Sequence, residues 1–93
     1  MKQTQKKEKL RFAVVLATAI RDQRKALKLT QIELGRFAGC GVDFIYDLEN
    51  GKSTIRLDKL MDVLLVLGLQ LTLETGKQGL KASPSERHSI SNE

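Results

Sequence analysis

Asp43 and Asp47 stand four residues apart in this 93-residue chain, a spacing that places both carboxylates on one face of a helix. Such a pair could relay a proton or hold a cation, but the rest of the apparatus for either task is missing. The chain has one histidine, His88, and one cysteine, Cys40, so no His/Cys cluster with metal-ligand spacing exists. No nucleophile is matched to a base, and no glycine-rich loop leads into a helix in the pattern that cradles phosphates. A lone cysteine closes no internal disulfide, which suits a reducing compartment. The sequence therefore calls for no catalytic residues, no metal and no cofactor, and excludes an enzyme.

What remains for the polar residues is recognition, and the charge distribution narrows it. The net charge is +5 and the pI about 9.6. Residues 1–12 carry +4, 13–28 carry +3 and 52–60 carry +2, whereas 29–51 carry −3. A basic front and one basic middle stretch suit contact with an acidic polymer. The apolar stretch after the first lysines resembles a secretory signal but runs straight into Arg21-Asp22-Gln23-Arg24-Lys25, without a cleavage site. The longest apolar run, residues 63–69, falls short of the roughly 18 residues that span a bilayer. A soluble cytoplasmic protein without a membrane partner is expected.

The elements that would position these groups are mostly helical, since aromatics are 4%, proline is 1 and the core must come from Leu, Ile, Val and Ala. Residues 1–9 are polar and without period, and read as a flexible basic arm. From Leu10 to Lys28 apolar residues recur at steps of three and four. Thr30 can cap a second helix, with Glu33 at the capping-box position, and Gly39 can end it. A third helix is expected over 42–49, closed by Asn50-Gly51. Gly35 lacks a side chain where two helices approach closely. A fourth helix, opened by Ser53 or Thr54, carries Leu57, Leu60, Met61, Leu64 and Leu67, and Val63, Leu65 and Val66 make its second half apolar nearly all round. Leu69, Leu71 and Leu73 then alternate with polar residues as in a strand over 69–75. Residues 76–93 read as a disordered tail, leaving no partner strand. Pairing with the same strand of a second copy is the simplest solution, with Val63, Val66, Leu69, Leu71 and Leu73 in the dimer contact.

Two short helices joined by a glycine turn behind a longer one form a helix-turn-helix. In that unit the helix from Gln31 crosses the DNA backbone and the helix from Val42 enters the major groove.

The run Thr30-Gln31-Ile32-Glu33-Leu34, then Gly39, Ile45 and Leu48-Glu49-Asn50-Gly51-Lys52, resembles the XRE-type helix-turn-helix domain of lambda-like repressors over residues 10–68. A narrower likeness is carried by residues 38–52, by Thr54-Ile55-Arg56-Leu57-Asp58-Lys59 and by Leu67-Gly68-Leu69-Gln70-Leu71. That second set resembles HipB-type antitoxin repressors. The resemblance implies an all-α lambda-repressor-like domain of four to five helices, plus one short strand pairing across a homodimer. It implies a bacterial, nucleoid-associated repressor of a toxin–antitoxin operon, bound to a palindromic operator in double-stranded DNA and to a HipA-like protein kinase toxin. By position, it implies that Thr30 and Gln31 meet a phosphate, and helix-start N–H groups would attract that anion. Gly41, Val42, Asp43, Tyr46 and Asp47 would face the groove. Lys52 and Arg56, with Lys59 beyond, would meet the backbone, and Arg24 and Glu49 would pair internally.

One departure stands out. The expected reading helix has Asp43 and Asp47 but no Arg, Lys, Gln or Asn before Asn50. Carboxylates in the groove accept only from donors such as cytosine N4. Two other readings stay open: a protein-interaction module that mainly restrains a partner, and a solitary XRE-type regulator without a toxin.

Overall fold

The computed structural model describes residues 2–75 and 80–84, with side chains over 5–75. Four helices precede a two-stranded antiparallel sheet: α1 (Lys2–Ala26), α2 (Gln31–Ala38), α3 (Val42–Glu49), α4 (Leu57–Leu67), β1 (Leu69–Leu73) and β2 (Leu80–Pro84). The all-α domain of four helices expected from sequence is present, and two of its edges differ from expectation.

The first difference is the start of α1. The helix begins at Lys2, so residues 2–9 are helical and not a loose arm. Lys, Gln and Glu are good helix formers, and a helix anchored downstream extends one residue at a time at low cost. Apolar periodicity misses such an extension because its residues are all polar, and Gln5, Lys6, Lys7 and Lys9 are exposed.

The second is the sheet. β1 pairs with β2 of the same chain, Leu69 opposite Pro84 and Leu73 opposite Leu80. The partner strand expected from a second copy is therefore supplied from within the chain, by residues read as tail. Pro84 sits at the strand end, where its missing N–H disturbs the ladder least. The rest of that expected tail, 76–79 and 85–93, lies outside the described residues.

Local signals explain the helix ends. Thr30 Oγ1 accepts from Glu33 N at 3.0 Å and Glu33 Oε1 accepts from Thr30 N at 2.9 Å, a closed capping box. Gly39 and Gly68 end α2 and α4 in the left-handed conformation, at φ 70° and 71°. Arg56, not Ser53 or Thr54, is the N-cap of α4, and it caps without a side-chain hydrogen bond.

The core joins Ile20 of α1, Leu34 of α2, Ile45 and Leu48 of α3, Leu60, Val63, Leu64 and Leu67 of α4, and Leu69 of β1. Val63 is 0% and Leu69 7% exposed within this one chain. This chain's own core already covers both side chains, which corrects the expectation that a second copy is what buries them. Val66 and Leu71 lie half-buried against the same core, and only Leu73 of the five is open, at 83%. The apolar residues α4 does present are Leu57, Met61 and Leu65.

α1 ties the other helices together through polar ends. Arg24 grips the buried carboxylate of Glu49 with Nε and Nη2, at 2.6 and 2.9 Å, and gives Nη1 to Leu29 O at 2.9 Å. Arg21 Nη2 donates to Glu49 O at 2.8 Å, closing the end of α3. Gln23 Nε2 donates to Leu67 O at 3.0 Å, doing the same for α4. Burial alone would push the Glu49 carboxyl up. Hydrogen bonds from Arg24 and Gln31, with the charges of Arg24 and Arg21, outweigh it and hold the group below the ordinary range of 4.5.

A carboxyl whose folded-state pKa is depressed contributes stability above its unfolded value and loses it as pH falls through the folded one. Glu49→Gln should therefore lose about 3 kcal/mol near neutrality, where it leaves Arg24 without its counter-charge. The difference from the parent should shrink as pH is lowered from about 4.5 through the depressed value. Urea denaturation at pH 7 and pH 3 measures both. The α2–α3 turn gives a second test. A Cβ on Gly35 would sit 2.7 Å from Gly41 C and O and 3.0 Å from Val42 N, all main-chain atoms that cannot rotate away. Gly35→Ala should cost about 1–3 kcal/mol despite its better helix propensity, read as a fall in Tm of about 5 °C or more.

Candidate nucleic-acid interface

The starts of α2 and α3 lie side by side. A shallow cleft of about 490 Å3 between them is lined by Arg24, Leu29, Thr30, Gln31, Ile32 and Val42. The capping box occupies the N–H groups of Thr30 and Glu33, and Leu34 N closes on Thr30 O at 3.0 Å. The N–H groups of Gln31 and Ile32 have no hydrogen-bond partner among the described residues. These two donors, at the positive end of the α2 dipole, are suited to an anion.

Thr30 thus serves the helix, its hydroxyl being engaged by Glu33. Gln31 is half-buried, and its Nε2 donates to Glu49 Oε1 at 3.1 Å. That bond fixes which way the amide points. It also links the phosphate position expected for Gln31 to the Arg24–Glu49 pair, a connection that residue spacing gives no hint of.

On α3, Ile45, Leu48 and Glu49 are buried. Successive positions turn by about 100°, so Val42, Asp43, Tyr46, Asp47 and Asn50 share the opposite arc. Gly41, Val42, Asp43, Tyr46 and Asn50 are exposed, and Asp47 is partly so. Gly41 is the N-cap at φ 82°, a conformation that favours glycine. The structure brings the expected groove-facing residues onto one surface beside the cleft. Asn50 joins them. Sequence reading took it only as a stop signal, and its 3.6-residue periodicity with Val42, Asp43 and Tyr46 was the available clue. Its Nδ2 donates to Tyr46 O at 2.7 Å.

The cations expected at the backbone all have partners within the protein. Lys52 Nζ lies 3.6 Å from Asp47 Oδ2. Arg56 forms a two-pronged pair with Asp58, at 3.1 and 2.6 Å, and the guanidinium holds that carboxyl below its usual range. Lys59 Nζ stands 5.8 Å from the Phe44 ring centroid. Solvent-exposed pairs of this kind contribute little and exchange readily for a phosphate. Cys40 is half-buried against the core, and burial raises its thiol pKa. No group of three or more His, Cys, Asp and Glu able to hold a metal exists among the described residues, and no helix there is long and apolar enough to cross a membrane.

Comparison with known proteins agrees with this geometry. Residues 20–73, more than half of the chain, match the family described as Helix-turn-helix. Over 58 residues, 62% of this chain and 76% of the other, the sequence is 40% identical to a protein of Sinorhizobium fredii named "Uncharacterized HTH-type transcriptional regulator y4mF". The family match runs from Ile20, in the last two turns of α1, through β1 and so contains the cleft and the exposed arc of α3. The chain belongs to the helix-turn-helix family of DNA-binding transcriptional regulators, a family without enzymatic activity.

Proposed function

We propose that the chain is a sequence-specific transcriptional repressor that holds duplex DNA through the start of α2 and reads it with the exposed arc of α3. The observation that carries this reading is the adjacency of two surfaces: the unpartnered N–H groups of Gln31 and Ile32, and the arc of Val42, Asp43, Tyr46 and Asp47. A backbone phosphate at the first would bring base edges to the second. Lys52 and Arg56, released from Asp47 and Asp58, would neutralise neighbouring phosphates.

The finer reading is a homodimer on a palindromic operator, acting as a HipB-like antitoxin on a HipA-like kinase. Its kinase part is supported by the sequence resemblance through residues 38–52 and 67–71. Its homodimer part is supported by an apolar groove of about 330 Å3 lined by Leu57, Met61, Leu64, Leu65, Leu69, Gln70 and Leu71. In that dimer the contact consists of Leu57, Met61, Leu65 and Leu73, which are open. Its reading helices would stand about 34–36 Å apart, one duplex turn. The same groove supports the alternative of a module that chiefly restrains a protein partner.

DNA affinity measured by fluorescence anisotropy should fall with salt at a log–log slope of about −0.9 per neutralised phosphate. Lys52→Ala should make that slope shallower by about 1 and weaken every sequence alike. Gln31→Ala should also weaken all sequences, by about tenfold. Insensitivity to both substitutions would remove α2 from the DNA contact. For the dimer, Leu65→Glu should shift sedimentation from two copies to one while helical content stays unchanged. A parent protein sedimenting as one copy at micromolar concentration would instead favour the partner-restraining module.

A further inference from the structure

The hydrogen-bonding balance of the α3 arc is one-sided. Asn50 gives one amide N–H to Tyr46 O. Lys52 stands at the flank, 3.6 Å from Asp47. The Asp43 carboxylate and the Tyr46 hydroxyl have no partner among the described residues. The arc therefore offers carboxylate oxygens from Asp43 and Asp47, the Tyr46 hydroxyl, the methyls of Val42 and, at its far end, the remaining N–H and the Oδ1 of Asn50. It carries no guanidinium or ammonium group of its own to donate to a base.

In the major groove, guanine presents two acceptors and thymine an acceptor beside a methyl. Adenine presents an acceptor next to its amino group, and cytosine presents its N4 amino donor alone. A carboxylate brought against an acceptor loses its water and gains nothing, which is the costly outcome. Against cytosine N4 it gains a charge-assisted hydrogen bond.

We propose that Asp43 and Asp47 determine specificity by selecting cytosine on the strand α3 faces and rejecting guanine and thymine there. This rests on the DNA reading above and names what that surface recognises. Residues four apart rise about 6 Å along a helix, so the two cytosines fall within one half-site, about two base-pair steps apart. The same charges repel any duplex that offers no donor, so selectivity comes partly from weak binding elsewhere.

The test is selection from a randomised duplex library with the full chain and its Asp43→Asn and Asp47→Asn variants, the first at an exposed and the second at a partly exposed position, with folding checked by circular dichroism. The parent should enrich two cytosines per half-site. Each variant should lose preference by about tenfold at one of the two positions and keep the other. Each should also bind unselected duplex several-fold more tightly. A parent consensus without cytosine at paired positions, or a consensus unchanged by both substitutions, overturns the proposal while leaving DNA binding intact. Failure of the parent to bind any duplex above competitor overturns the DNA reading itself, and this proposal with it.

Discussion

The Glu49 carboxylate is the group on which the arrangement of the helices depends. It is 2% exposed at the end of α3, yet ionised, because α1 supplies Arg24 and α2 supplies Gln31. An isolated charge there would be prohibitively costly. Three helices must therefore converge in one geometry, or the charge goes unpaired. An apolar contact tolerates sliding, whereas a two-pronged guanidinium–carboxylate pair fixes distance and plane together. The start of α2 and the whole of α3, which carry the proposed interface, are held by this one group.

Around that pair the fold follows ordinary rules. α1 closes the carbonyl ends of α3 and α4 with Arg21 and Gln23. The capping box closes the start of α2. The core from Ile20 to Leu69 fills the space between. What is unusual is the division of charge. The proposed reading face is acidic, and Lys52, Arg56 and Lys59 nearby are engaged with protein partners. Binding would thus be an exchange of weak internal ion pairs for phosphates, with cost and gain both set by salt.

Much of this is legible in the residues. Thr30 and Glu33 announce the start of α2, and Gly39 and Gly68 announce the ends of α2 and α4, because each of these roles has a specific chemical requirement. The Arg24–Glu49 pair follows from resemblance, not from spacing, since contacts 25 residues apart leave no periodic trace. Two features escape for physical reasons. Residues 2–9 are all polar and lack apolar period, so pattern alone cannot separate their helix from coil. β2, over Leu80–Pro84, is short, of mixed composition and ends in proline, and its pairing lies in the backbone, where sequence signals are weakest. The dimer residues show a related limit. Periodicity marks Val63 and Leu69 as buried but cannot say whether the same chain or another one buries them.

The contact at Gly35 has a consequence beyond stability. Main chain meets main chain there, at a separation too small for even one methyl group. How closely α2 and α3 can approach at that point is accordingly limited by atoms that every amino acid shares. Side chains on the outer arc of α3 take no part in that contact. They can drift through evolution, or be exchanged by design, without moving the platform that carries them. Regulators built this way can diverge in the promoters they control while the scaffold stays the same.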